Sequence, residues 1–422
     1  MTTPGATPSA GKRRWRKATV IAALLLLAFA GGMLLYLNSA AFEQSVRRKV
    51  VAELERMTGG KVELQSLTWK LSSLQFEARG LTIHGLEGPG EAPYAQAGHI
   101  SVGVKIVSFF SRKIALRNVA MDHVGVHLIV YPDGSTNQPV PKEAPAGEGI
   151  SPQSLVDIAV NRIEISDGAL ILNQEQVPFS ITAERLSAVI NHAPQEKGYA
   201  ANISMSLLAA RWRNLPPQRG DINVDLLLRS NGADIRSLRV ATGRSSVQAS
   251  GTVRNYNNPE LRLQYNASVD LAEAAALASV PSLRGGRVEA KGSLTYEKRN
   301  YSSRGSLSVK GGEWRDGLVR VAGIDASSAF SVSPDAVSFS HIAARIFGGT
   351  ALGDLQVTSW AAPTGGRKAP PQKGKAAFRV SRLSISEMAA AVSTKEFPLE
   401  KINAAGAASG DIKAGWTGSI AN

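Results

Sequence analysis

The chain has 422 residues, of which 43% are hydrophobic, only 6% are aromatic and 40 are glycine. The apolar residues are mostly Val, Ile, Leu and Ala, a composition that favours strands and turns over a dense aromatic core. The sequence contains no cysteine, which excludes disulfides, thiolate zinc sites, iron–sulfur clusters and cysteine nucleophiles.

The formal net charge is +14, from 48 Lys and Arg against 34 Asp and Glu, and raises the question of nucleic-acid binding. One basic cluster directly precedes an apolar segment and is typical of a topology signal that keeps residues 1–17 cytoplasmic. It consists of Lys12, Arg13, Arg14, Arg16 and Lys17. The other basic residues are scattered among strand-like stretches, without a basic helix or a stripe of basic and aromatic residues. We therefore expect no nucleic-acid partner.

Residues 18–37 form an uncharged run, ATVIAALLLLAFAGGMLLYL. At about 1.5 Å per helical residue, this run spans the roughly 30 Å hydrocarbon core of a bilayer and predicts an uncleaved transmembrane anchor. The alternative is a signal peptide cleaved after Ala30, but the apolar run continues well beyond that residue. The side chains assigned to the anchor include Ala18, Leu24, Leu27, Phe29, Leu34 and Leu37.

Residues 38–60 follow the anchor with apolar side chains at four-residue spacing, at Phe42, Val46, Val50 and Leu54. This spacing predicts an amphipathic helix that ends at the Gly59-Gly60 pair. Two roles remain open for it. The helix caps the end of a sheet, or it lies in the membrane interface.

From residue 61 onward the hydrophobic period changes to two, which is typical of strands with one apolar face. Turn signals separate many short segments, so we predict a mainly β, antiparallel architecture with few short helices. The predicted regions are a first β region at 61–139, a Pro-rich connector at 140–152, an extended β region at 153–360 with a short helix near 271–280, a flexible linker at 361–375 and a further β segment at 376–422. The clearest apolar faces are formed by Ile100, Val102, Val104 and Ile106, by Val124, Val126 and Leu128, and by Leu261, Leu263 and Tyr265.

Candidate residues for chemistry do not form a recognisable site. His123 and His127 are four residues apart, but on a strand this spacing is about 13 Å, too far for one metal ion. Asp133 begins a sequence like a calcium loop that lacks the required Gly and Glu, so we interpret it as a hairpin turn. Motifs typical of hydrolases, nucleotide-binding loops and zinc proteases are absent from the sequence. We expect neither a cofactor nor an enzymatic activity.

Several segments in this order resemble the AsmA-like superfamily, which includes the AsmA and TamB envelope proteins of double-membraned bacteria. The anchor and amphipathic helix are followed by Met57-Thr58-Gly59-Gly60-Lys61-Val62, by residues 74–85 and by Asp133-Gly134-Ser135-Thr136-Asn137 after a strand. Residues 342–353, IAARIFGGTALG, are similar to the recurrent strand, Gly-Gly turn, strand element of that superfamily.

The resemblance implies an elongated, curved antiparallel sheet that forms an apolar groove and projects from the bacterial inner membrane into the periplasm. It also implies phospholipid binding or transport toward the outer membrane, with the apolar faces above as candidate lipid-facing residues. The alternative is a TamB-like scaffold that assists outer-membrane protein assembly, with envelope proteins as partners. From the residues alone, a closed β-sandwich gives the same alternation in any one strand.

Overall fold

A computed structural model describes most of the chain. The described residues are 24–29, 31–105, 116–140, 160–174, 179–212, 218–256, 258–278, 280–297, 300–317, 319–360, 371–392 and 405–418. The basic cluster at 12–17, Ala18, Ile106, the connector at 141–152 and most of the linker, 361–370, lie outside these residues.

The described chain is mainly β and forms one long, curved, open sheet of eighteen strands. The first nine strands are β1 Lys61–Lys70, β2 Gln75–His84, β3 Ala95–Val104, β4 Leu116–Val130, β5 Val160–Gln174, β6 Phe179–Ala193, β7 Gly198–Trp212, β8 Gln218–Arg229 and β9 Gly232–Thr242. The others are β10 Ser246–Arg254, β11 Glu260–Asp270, β12 Leu283–Glu297, β13 Asn300–Asp316, β14 Val319–Val332, β15 Ala336–Ile346, β16 Gly349–Thr358, β17 Lys373–Ser384 and β18 Ala407–Thr417.

Each strand pairs with its neighbours in chain order, so β1 and β18 lie at the two edges of the described sheet. The expectation of a fully antiparallel sheet needs one correction, because β4 and β5 are parallel, with Leu116 opposite Val160. A parallel pair requires the chain to return to the starting end of the sheet, which a hairpin turn cannot do. In chain order, the predicted Pro-rich connector lies between β4 and β5.

Within the described residues, four α-helices accompany the sheet: α1 Leu24–Leu37, α2 Ala40–Thr58, α3 Leu271–Ala278 and α4 Ile385–Ala391. Among the described residues, no single helix has both the length and the hydropathy needed to cross a bilayer. Helices α1 and α2 meet these requirements only as a pair, and they are bent by 59° where they join. The residues of α1 that the sequence assigns to a predicted anchor are largely exposed, as Leu24 (60%) and Phe29 (72%) illustrate.

Helix α2 lies along the outer edge of β1. Its charged side chains form hydrogen bonds with backbone groups of β1 that no described neighbouring strand contacts. Glu43 accepts a hydrogen bond from the Trp69 amide at 2.9 Å, and Glu55 accepts one from the Val62 amide at 3.1 Å. Between them, Arg47 donates to the Leu64 carbonyl. An uncovered strand edge invites pairing with other chains. Of the two roles left open by the sequence, these contacts support the sheet cap.

The alternation of apolar residues changes phase inside each of the first five strands. On one face of β1, for example, the apolar positions step from Leu64 to Leu67, and the two residues between them are exposed. Adjacent strands change phase at the same level, so the interruptions form an aligned row, and three of its members have positive φ. The row consists of Gln65, Gly80, Gly98, His123 and Asp167. At these interruptions each of two paired strands leaves one or two residues out of the pairing, so the register is kept and the apolar side chains stay on one face.

Later strands contain β-bulges with a register shift, where a side chain from the next strand accepts a hydrogen bond from the bulged residue. At His341 (φ 53°), the bulge amide donates to Asp354 Oδ1 at 2.9 Å, and Gly311 (φ 60°) donates to Asp325 Oδ1 at the same distance. A bulge removes a backbone amide from the strand ladder, so these carboxylates supply the missing acceptor.

Replacing Asp354 with alanine is expected to weaken the bulge by about 1 kcal/mol, the typical net contribution of one hydrogen bond. Amide exchange at His341 should then become roughly five-fold faster, measurable by hydrogen–deuterium exchange of the peptide that contains it. Asp354→Asn retains an acceptor oxygen and should remain close to wild type. Equal acceleration in both variants would show that the acceptor does not hold the bulge.

The segment that resembles a calcium loop is a turn directly after β4, and it folds back against the end of that strand. Asp133 Oδ1 accepts hydrogen bonds from the Ser135 amide and hydroxyl at 2.9 and 2.6 Å. Asn137 is fully buried (0%), and its side chain accepts from the Ile129 amide and donates to the His127 carbonyl. The turn prediction is therefore correct. Beside β4, the Asn137 side chain forms the hydrogen bonds that the backbone of a neighbouring strand would otherwise form.

The IAARIFGGTALG element consists of the end of β15, a tight turn and the start of β16. Ile346 pairs with Gly349, and the two residues between them, Phe347 and Gly348, both have positive φ (49° and 65°). This is the conformation of a two-residue hairpin turn that matches the twist of its strands. Other boundaries differ modestly from the predicted ones. Residues 373–375 of the predicted linker belong to β17, and α4 interrupts the predicted final β segment.

Candidate functional site: a continuous apolar face

One row of directly paired apolar residues and glycines crosses the entire sheet. Each of the eighteen strands contributes one member, and no polar or charged residue other than the Tyr265 phenol interrupts the row. At about 4.8 Å per strand, its seventeen steps extend roughly 80 Å. In strand order the members are Leu67, Ala78, Ile100, Met121, Ile165, Ala188, Ile203, Val224, Leu238, Ala249, Tyr265, Gly292, Gly305, Phe330, Phe339, Leu355, Ala376 and Ala414.

The opposite face presents a matching polar row. Its members in β6 to β13 are the chain neighbours of the apolar row, and they also pair directly from strand to strand. They are Ser187, Ser204, Asn223, Arg239, Gln248, Asn266, Lys291 and Ser306. Since successive side chains of a strand point to opposite faces, the sheet is amphipathic over this whole length.

The candidate lipid-facing residues within the described chain share the apolar face. Ile100, Val102 and Val104 pair with Met121, Val119 and Leu116 of β4. Val124, Val126 and Leu128 remain on that face because the interruption at His123, which has positive φ, restores the phase. Leu261, Leu263 and Tyr265 extend it through β11, where the Tyr265 hydroxyl lies 2.7 Å from Ser303 Oγ.

The apolar face lacks a second packed layer over much of its length. Helix α2 packs against β1, α3 against β11 and β12, and α4 against β14 and β17, while no described helix packs extensively on β2 to β6. Only eighteen apolar side chains of the described residues are buried, and most members of the apolar row are only partly covered. The face is therefore an accessible apolar surface, a feature that marks sites for apolar ligands or partners.

The histidines occupy the polar face, bulges and strand ends, not a common site. His123 Nε2 lies 3.2 Å from Asp167 Oδ2, whereas His127 Nε2 lies 3.0 Å from the Asn173 amide nitrogen. Within the described part of the chain, no group of three or more His, Asp or Glu residues is arranged to hold a metal ion.

Comparisons with known proteins do not assign this chain to a family. The sequence matches no protein-family model, and no curated protein is significantly similar to it. The architecture itself defines the class: a mainly β protein built on one extended open sheet with one apolar and one polar face.

Strict period-two alternation did not predict all of the apolar face. Several contributing strands were missed, including β9, β10 and β14, because bulges or polar interruptions break their alternation. These strands are recognised when two alternating apolar residues are followed, after a step of three residues instead of two, by another two. In β9, for example, Ala233 and Ile235 are followed by Leu238 and Val240 on the same face.

Proposed function

We propose that the chain is a membrane-anchored envelope protein whose apolar face binds acyl chains and guides phospholipid along the sheet toward the outer membrane. The observation that carries this proposal is the uninterrupted apolar row through all eighteen strands. A binding pocket for one ligand requires a few strands, whereas a continuous path across a sheet suits a ligand that moves along it.

Burial differs between the two faces in a way that supports a groove. In β11, Leu261, Leu263 and Tyr265 are partly buried although they lie outside the main helix contacts, while Arg262 and Gln264 between them are exposed. Side chains on the inner side of a curved sheet crowd together, and those on the outer side separate. The apolar face is therefore proposed as the inner, concave side, where burying hydrocarbon contributes about 25 cal/mol per Å².

Photo-crosslinking tests this arrangement in the full chain. A benzophenone amino acid placed at Val102, Val126 or Leu263 should capture phospholipid in native membranes, because each position lies on the apolar face. Mass spectrometry of the crosslinked peptides identifies the captured lipid.

The matched controls are Gln96, Arg262 and Gln264, which are exposed on the polar face. Two other polar residues that alternate with the apolar ones, Ser101 and His127, are poor controls. Ser101 is buried and bonded to Gln75, and His127 contacts Asn173. Equal lipid capture at both sets of positions would contradict the groove.

A second candidate function, a scaffold for client strands, is favoured by the difference between the two edges. Helix α2 covers β1, but the outer edge of β18 has no partner among the described residues. An open edge accepts an added strand through its backbone. The two functions are separable, because strand addition at β18 does not require an uninterrupted apolar face.

A further inference from the structure

Aromatic residues recur at several connections along one rim of the sheet, which we call the upper rim. It is the rim that contains the β1–β2, β6–β7 and β12–β13 connections and the end of β18. Next to these three connections, rings on the two joined strands are directly opposed: Trp69 with Phe76, His192 with Tyr199, and Tyr296 with Tyr301.

These rings lie at one level on the apolar face, each at the second position from its strand end. The ring centroids of Trp69 and Phe76 are 4.3 Å apart, and those of His192 and Tyr199 are 5.0 Å apart. At the far end of the sheet, Trp416 lies over Gly374, where a β-carbon would overlap its ring. The upper rim is thus bordered by amphipathic rings near both ends and in the middle of the sheet.

The opposite, lower rim is covered differently. Helices α3 and α4 both lie there, at the ends of β11 and β17. They are rich in alanine, and Ala275 and Ala391 are buried. Val321 and Leu383, which belong to the apolar face near this rim, are also among the few buried apolar residues. Small apolar helices therefore cover part of the lower rim.

We infer that the upper rim positions phospholipid head groups, with the acyl chains lying across the apolar face toward the lower rim. This inference rests on the proposed function, and it adds an orientation and a head-group site that lipid binding alone does not require. Tyr and Trp rings occupy boundaries between hydrocarbon and water because one end of the ring is apolar and the other forms hydrogen bonds.

The polar groups of the upper rim do not select phospholipids by the charge of the head group. Several rim cations already have acidic partners, such as Arg229 with Asp234 at 2.6 Å and Lys70 with Glu77 at 2.5 Å. Burial raises the pKa of Tyr199, so this phenol remains an uncharged hydroxyl near neutral pH. Zwitterionic and anionic glycerophospholipids should therefore bind in the same orientation.

Two photoreactive phospholipids test the orientation on the full chain in phosphatidylethanolamine–phosphatidylglycerol membranes. One carries a diazirine on its head group and the other carries it at the end of an acyl chain. The head-group probe should label the upper rim, around Tyr296, Tyr301 and Trp416, about ten-fold more than the lower rim, because a polar group against an apolar wall is strongly disfavoured. The acyl-end probe should label the lower half of the face, around Val309 and Ala344.

A matched pair of variants separates the rims. Tyr296 and Trp314 are equally exposed (36% and 37%) on the apolar face, but they lie at the upper and lower rims respectively. Tyr296→Ser with Tyr301→Ser should reduce head-group labelling of the upper rim by about five-fold, whereas Trp314→Ser should leave it unchanged. Retained acyl-end labelling in the tyrosine variant shows that the sheet is intact.

The outcomes distinguish this inference from the function on which it rests. Head-group labelling that is equal at both rims, or stronger at the lower rim, overturns the orientation while lipid binding stands. A tyrosine variant that keeps wild-type head-group labelling also overturns the role of the rim. Absence of labelling by both probes removes the proposed function itself.

Discussion

Replacing Leu263 with glutamate should reduce the amount of phospholipid that copurifies with, or is transferred by, the full chain by at least about ten-fold. Leu263 lies near the middle of the sheet on the apolar face, opposite Gly251 and Leu294. A carboxylate there must lose water when hydrocarbon covers it, at a cost of several kcal/mol, and each 1.4 kcal/mol corresponds to about ten-fold in occupancy. Because a path along the sheet must pass every strand, one charged position interrupts all of it.

The neighbouring residue supplies the control. Gln264 follows Leu263 in the chain but is exposed on the polar face, so Gln264→Glu adds the same charge to the same strand without reaching the proposed lipid path. Leu263→Phe keeps the face apolar and should retain lipid. Circular dichroism compares the strand content of the three variants. If Leu263→Glu folds and retains its full complement of lipid, lipid does not use this face.

The same variant separates the two candidate functions. A scaffold that adds client strands at β18 depends on the backbone of residues 407–417 and on the side chains beside them. Leu263 belongs to β11, well removed from that edge. Loss of lipid with retained client proteins would therefore favour the scaffold as an independent activity, and loss of neither would leave the apolar face without a role in the lipid path.

Removing the three charged contacts of α2 should expose the edge of β1 and cause the chain to self-associate. In the Glu43→Ala, Arg47→Ala, Glu55→Ala variant, the amides of Val62 and Trp69 lose their acceptors. Hydrogen bonds to charged groups contribute about 1.5 to 3 kcal/mol, so exchange of these amides should accelerate by roughly ten-fold or more. Hydrogen–deuterium exchange measures this change, and light scattering of the detergent-solubilised chain measures association.

Single variants make the result position-specific. Glu43→Ala should affect only the Trp69 amide, and Glu55→Ala only the Val62 amide, because each carboxylate serves one amide of β1. Glu53→Ala is the matched control, since Glu53 pairs with Arg56 of its own helix at the exposed surface. Unchanged exchange at both amides in the triple variant would show that α2 does not protect this edge.

The case of α2 also shows where sequence reasoning ends. The four-residue spacing of Phe42, Val46, Val50 and Leu54 was sufficient to predict a helix, which the structure places at Ala40–Thr58. Its charged side chains have the pattern of a solvated face. Their hydrogen bonds to β1 depend on a strand edge 26 residues away in the chain for Glu43, which no local pattern contains.

The apolar face illustrates the same division within the sheet. Alternation correctly identified β3, β4 and β11 because side-chain direction follows from the local backbone of a strand. The interruptions at Gly80, His123 and Asp167 shift that direction by one residue, and their alignment arises only when neighbouring strands pair. Propensity alone does not predict left-handed backbone at residues such as His123.

By itself, the sequence determined a mainly β chain with an amphipathic helix, many turns and strands with one apolar face each, since these features depend on neighbours within a few residues. Only the tertiary structure decided that eighteen such faces join into one row, that β4 and β5 run in parallel, that α2 protects β1 and that three ring pairs recur at the connections of the upper rim. Register between strands sets all four, because pairing brings together residues that no spacing along the chain relates.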